Sequence, residues 1–100
     1  MNAQQLKEKM QKGDEMLLFD IRESEELVDV PPIAGSIHMP MGRMLEEANS
    51  GTLPNDKKMI AICRTGRRSD IVARELTEKS YDIESLEGGV VAWLEEKKAV

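Results

Sequence analysis

The sequence predicts a three-layer α/β domain: a parallel sheet of four to five short strands with helices on both faces. Two continuous apolar runs, Met16-Leu17-Leu18-Phe19 and Met59-Ile60-Ala61-Ile62, are too short for helix cores and suit strands covered on both sides. Segments with apolar residues at helical spacing alternate with these runs. Such alternation gives parallel strands joined by crossover helices. A chain of 100 residues has material for one small core, so residues 1–100 are taken as a single domain.

Asn2 is placed to cap a first helix, in which Leu6 and Met10 share one face. Gly13 ends it, where a left-handed residue is wanted. The first strand follows and is closed by Asp20. Ser24 is expected to cap a short helical segment from Glu25 to Val28, and Pro31-Pro32 stops any helix there. Ser36-Ile37-His38 is a brief extended piece before Pro40. Met41 to Asn49 is expected to be helical, with Met41, Met44, Leu45 and Ala48 on one face. Ser50-Gly51 and Pro54-Asn55-Asp56 are loop signals. The second apolar run ends at Cys63. A turn containing Gly66 leads into a helix from about Arg67 to Lys79, with Ile71, Val72 and Leu76 toward the core. Asp82 to Leu86 is a last strand, and Gly88-Gly89 turns into a final helix carrying Val90, Trp93 and Leu94.

Hydrophobic residues make up 40 % of the chain and charged residues 33 %, which fits a globular protein. Only Phe19, Tyr81 and Trp93 are aromatic, so the core must be aliphatic, with seven methionines available to fill gaps. No apolar run approaches the roughly 20 residues that cross a bilayer. The polar N-terminal stretch lacks the apolar segment of a signal peptide. A cytoplasmic location is therefore expected, with no membrane partner. The lone cysteine excludes an internal disulfide and a cysteine-based zinc site, which fits a reducing compartment. A net charge of −5 argues against general nucleic-acid binding. Yet the stretch from Cys63 to Arg68 holds three arginines and no acid. A basic island on an acidic chain points to a small anionic ligand.

That island is Cys63-Arg64-Thr65-Gly66-Arg67-Arg68-Ser69, between a buried strand and a helix. In open parallel sheets, ligands bind beyond the carboxyl ends of the strands. A turn feeding a helix N-terminus aims several backbone N–H groups at one spot, and the helix dipole adds a positive field. Both stabilise a thiolate at that spot, as do permanent arginine charges beside it. Gly66 can adopt a positive φ and let the loop curl around the sulfur. A lone cysteine at a strand end is ordinarily a small buried hydrophobe, but an inert one gains nothing from three adjacent cations.

Other residues weigh toward structure. Asp20 and Arg22 share the sheet edge with Cys63. Arg22 is a candidate to attract an anion. The favoured roles are that Asp20 accepts loop N–H bonds and that Arg22 pairs with Glu23, Glu25 or Glu26, since a buried carboxylate would oppose a thiolate. His38, the only histidine, is read as loop packing rather than as a base for Cys63. Gly88-Gly89 lacks the patterns of a phosphate loop and is read as a turn. Trp93 and the methionines Met39, Met41 and Met44 are read as core.

The cysteine turn resembles the active-site loop of the rhodanese-like (sulfurtransferase) family, Cys-Arg-x-Gly-x-Arg or Thr followed by Ser, from Cys63 to Ser69 here. Leu18 to Glu23 is similar to the family's first Asp-Val-Arg motif. Ile33 to Pro40 resembles its Ile-Pro-Gly-Ala-Ile-Asn-Ile-Pro, with Ala34 for the first proline and His38 for the asparagine. Pro32 stands where many members have histidine. Leu86 to Trp93 resembles its closing Glu-Gly-Gly-x-x-x-Trp. The resemblance covers nearly the whole chain and implies a rhodanese-like single-domain fold. It also implies that Cys63 takes sulfane sulfur from thiosulfate or a persulfide donor, holds it as a persulfide, and passes it to cyanide, a thiol or a sulfur-relay protein.

The loop of Arg64, Thr65, Gly66, Arg67 and Arg68 would bind the anionic donor, with Asp20, Arg22 and Ser69 in possible support and no cofactor or metal. Two alternatives stand beside this. Phosphatase or arsenate-reductase chemistry uses a loop with five residues between cysteine and arginine. Here four separate Cys63 from Arg68. A non-catalytic regulatory domain would have no use for the cysteine and its arginines.

Overall fold

The computed structural model describes residues 1–98. Its elements are α1 (Ala3–Lys12), β1 (Leu17–Asp20), α2 (Glu26–Asp29), β2 (Ile37–His38), α3 (Met41–Ser50), β3 (Met59–Ile62), α4 (Arg67–Glu78), β4 (Ile83–Ser85) and α5 (Gly89–Lys98). The four strands form one parallel sheet in the order β2-β1-β3-β4. The sheet has the lower of the strand numbers expected.

Local chemistry explains the ends of α1. Asn2 and Gln5 exchange side chain-to-backbone bonds of 2.8 and 2.9 Å, a capping box, and Gly13 closes the helix at φ 77°.

The side-chain alternation of β3 divides the core into two layers. Met59 and Ala61 face Met44, Ala48, Val72 and Leu76 of α3 and α4. Ile60 and Ile62 face Leu6 and Val90 of α1 and α5. Both faces of the strand are thus buried, which is why its sequence is continuously apolar. Continued one residue past the strand, the alternation puts Cys63 on the α4 side.

Two expectations are corrected. Ile71 is 50 % exposed rather than core. The buried stripe of α4 runs Ser69, Val72, Leu76, and one residue off it turns a side chain about 100° away. Ser24 does not cap α2. Its cap position falls on Glu25, and the turn before it is closed by Glu26, whose carboxylate accepts the Glu23 N–H at 2.8 Å. Leu94 stands at the margin beside residues 31–34, 38 % exposed, while Trp93 packs against the core.

Candidate active site

β1 and β3 end side by side, and the Ile21 N–H bonds the Ile62 carbonyl beyond the last paired residues. This fixes Asp20, Arg22 and Cys63 at one carboxyl edge, where parallel sheets bind ligands. Cys63 leaves the strand into a short turn that becomes α4 at Arg67. Gly66 makes the turn possible at φ 102°, and a Cβ there would press on the Gly88 nitrogen at 3.1 Å.

The turn closes over the sulfur, and the Gly66 N–H donates to Cys63 Sγ at 3.0 Å. The Ser69 hydroxyl lies 3.5 Å from the same sulfur. Burial pushes the Cys63 thiol up. Hydrogen bonds from the Ser69 hydroxyl and from the N–H groups of Ser69, Gly66 and Thr65 outweigh burial, and the thiol lies below its ordinary value. The largest stabilisation is the Ser69 hydroxyl's, and the backbone N–H groups that the sequence pointed to add to it.

The start of α5 holds the other side of the turn. Val90 N–H donates to the Cys63 carbonyl at 2.9 Å and Val91 N–H to the Arg64 carbonyl at 3.2 Å. In a trans peptide the N–H points opposite to the C=O, so anchoring these carbonyls on α5 turns the N–H side of the loop away from that helix. Gly89 is what lets α5 approach, because a Cβ at this residue would overlap the carbonyl groups of Cys63 and Arg64. Its φ of 58° is also left-handed. Gly89→Ala should therefore lose about 1–3 kcal/mol to backbone strain alone, and more from the displaced turn. Urea unfolding measures this, and a stability within about 0.5 kcal/mol of the native chain would contradict the close approach.

The arginines divide into three situations. Arg64 is exposed on the turn and Arg67 is exposed at the first position of α4. Arg68 is forked onto Glu26 of α2, with nitrogen–oxygen distances of 2.8 and 2.7 Å. That bond, with smaller help from the Glu23 N–H and the charges of Arg68 and Arg22, lowers the Glu26 carboxyl to about 2 against burial. Arg68 thus ties α4 to α2, and Glu26 offsets its charge. Arg22 is 1 % exposed and pairs with Asp20 through three contacts of 2.8–3.1 Å. It was expected on a glutamate. Asp20 is the nearer partner because both leave the same strand end, while Glu26 gives Arg22 only its backbone carbonyl, at 3.3 Å.

Asp20 also accepts the Arg22 N–H at 3.1 Å, as its loop-bonding role required. His38 bonds the Arg22 carbonyl at 2.7 Å, a packing role at this corner. Thr65 is exposed at the crest of the turn.

One residue at the site escaped the sequence reading. Ser85, 8 % exposed at the end of β4, bonds Ser69 hydroxyl to hydroxyl at 2.6 Å. The signal was present: residues 83 and 85 share one face of β4, and Ile83 is core while residue 85 is serine.

A family model, rhodanese-like domain, matches residues 2–96. The chain belongs to the rhodanese-like family. It is 39 % identical to YtwF of Bacillus subtilis, a protein carrying the name sulfurtransferase, over 93 % of this chain and 87 % of that one. It is 31 % identical to YrkF of the same organism, named as a sulfur carrier protein, over 75 % of this chain and 39 % of that one. Among solved structures, the rhodanese-related protein TVG0868615 of Thermoplasma volcanium superposes with a TM-score of 0.82 at 33 % identity, over 96 % of this chain and 90 % of that one. Fold, family and relatives together place the chain among proteins of sulfur transfer, on the four-stranded parallel sheet described above.

Proposed function

We propose that Cys63 is the nucleophile of a sulfurtransferase working on small sulfur anions. The observation that carries this is a single sulfur atom faced by the Gly66 N–H and the Ser69 hydroxyl, in a turn that lowers its pKa. The Cys63 thiolate attacks the sulfane sulfur of thiosulfate. The sulfur–sulfur bond breaks, its electron pair leaves with sulfite, and Cys63 carries a persulfide. Cyanide or a thiolate then attacks the terminal sulfur and takes it, returning the Cys63 thiolate. No net oxidant is needed, and each state is anionic at the sulfur, which suits preorganised N–H donors.

Arg64 and Arg67 draw the dianionic donor to the turn, and Thr65 and Gly66 line it. Arg68 holds the turn through Glu26, and the Asp20–Arg22 pair braces the neighbouring corner. A protein thiol or sulfur-relay partner is the acceptor in the cell, a reading supported by a relative named as a sulfur carrier protein. A reducing, cytoplasmic setting suits the free thiol.

The test is a side-by-side assay. Thiocyanate formation from thiosulfate and cyanide should be catalytic, while hydrolysis of an aryl phosphate should be negligible. The phosphatase alternative needs an arginine turned to the phosphoryl oxygens, and Arg68 is engaged by Glu26. Strong aryl phosphate hydrolysis without thiocyanate would overturn the proposal.

A further inference from the structure

We propose that Ser85 is a positioning residue for Cys63, acting through Ser69. The inference rests on Cys63 being the nucleophile.

Ser69 is fully buried and its one hydroxyl proton has three possible takers: Cys63 Sγ at 3.5 Å, the Gly66 carbonyl at 3.2 Å and Ser85 Oγ at 2.6 Å. Only a proton directed to the sulfur helps a thiolate. Among the described residues, Ser69 is the one hydrogen-bond partner of the Ser85 hydroxyl. A buried hydroxyl without an acceptor is costly, so Ser85 donates to Ser69. This removes Ser85 as a competitor for the Ser69 proton and polarises the Ser69 O–H.

The Gly66 carbonyl is the remaining competitor. It already accepts the Asp70 N–H at 2.9 Å, so it stays satisfied when Ser69 turns to the sulfur. Ser85 thus leaves Ser69 with a proton free to follow the charge on Cys63: toward Gly66 over a thiol, toward the sulfur over a thiolate.

The charged groups around Cys63 are Arg64 on the turn, Arg67 and Arg68 at the start of α4, the latter with Glu26 of α2, and the closed Asp20–Arg22 pair at the end of β1. β4 contributes Ser85, and the start of α5 contributes backbone N–H groups. None of these ionisable groups is altered by a change at Ser85.

The experiment titrates the thiolate by its ultraviolet absorbance, each protein measured against its own Cys63→Ser counterpart. The native midpoint should lie below the ~8.5 of a free thiol. Ser85→Ala should raise it by about half a unit, roughly a threefold loss of thiolate at pH values below both midpoints. In a Ser69→Ala background the same change should do nothing more, since the effect passes through Ser69. Should Ser85→Ala fail to fold, Ser85→Thr and Ser85→Val, equal in shape, ask the same question: Thr keeps the native midpoint and Val raises it.

An unmoved midpoint in folded Ser85→Ala or Ser85→Val would overturn the role, as would an equal shift with Ser69 absent. No sulfur donor enters this titration. A protein that loads no sulfur yet shows the shift would lose the sulfur-transfer function and keep the Ser85 role. An unmoved midpoint in a protein that loads sulfur would do the reverse.

Discussion

Cys63→Ser is expected to fold and to accept no sulfur from any donor. Activity should fall to background, because an alkoxide is not available near neutral pH and no other cysteine exists to take the sulfur. The fold should survive even though Cys63 is 1 % exposed and packs with the core cluster of α3 and α4. The turn curls over the sulfur, as Gly66 allows. A serine oxygen nonetheless finds polar partners there, the Gly66 N–H and the Ser69 hydroxyl. The expected cost is about 1 kcal/mol, read from urea unfolding. A serine variant that is unfolded, or one that still forms thiocyanate at the native rate, would contradict the assignment.

Asp20→Ala should be the more damaging change to stability. It strips the partner from Arg22, whose guanidinium is almost wholly buried. Leaving one member of a buried pair uncompensated costs about 3–5 kcal/mol, and a domain of this size has only about 5–15 kcal/mol in total. Replacing both residues with apolar ones of similar volume, Asp20→Leu with Arg22→Met, removes the stranded charge and should recover most of the loss. Denaturation midpoints of the two variants decide this. A single variant as stable as the native chain, or a double variant no better than the single, would show that Asp20 and Arg22 do not act as a buried pair.

Much of this was legible because local signals agreed with the global fold. Met59–Ile62 was bounded correctly because a strand covered on both faces must be apolar throughout, and Asn2 and Gly13 marked α1 through capping chemistry alone. The turn from Cys63 to Ser69 was legible because its charge was out of keeping with the rest of the chain. What stayed hidden depended on distance. Nothing in the sequence says that Arg68 meets Glu26, 42 residues away, so its charge was assigned to the sulfur. Gly89 looked like an ordinary turn residue because its constraint comes from the backbone of Cys63 and Arg64. Ser85 was missed because its partner lies 16 residues earlier on another element.

Intact mass after incubation with thiosulfate tests the central claim most directly. The native protein should gain a single sulfur atom, about 32 Da, and lose it on adding a thiol reductant. Cys63→Ser should show no gain. An unchanged native mass at every thiosulfate concentration and with a persulfide donor would contradict Cys63 as a sulfur carrier.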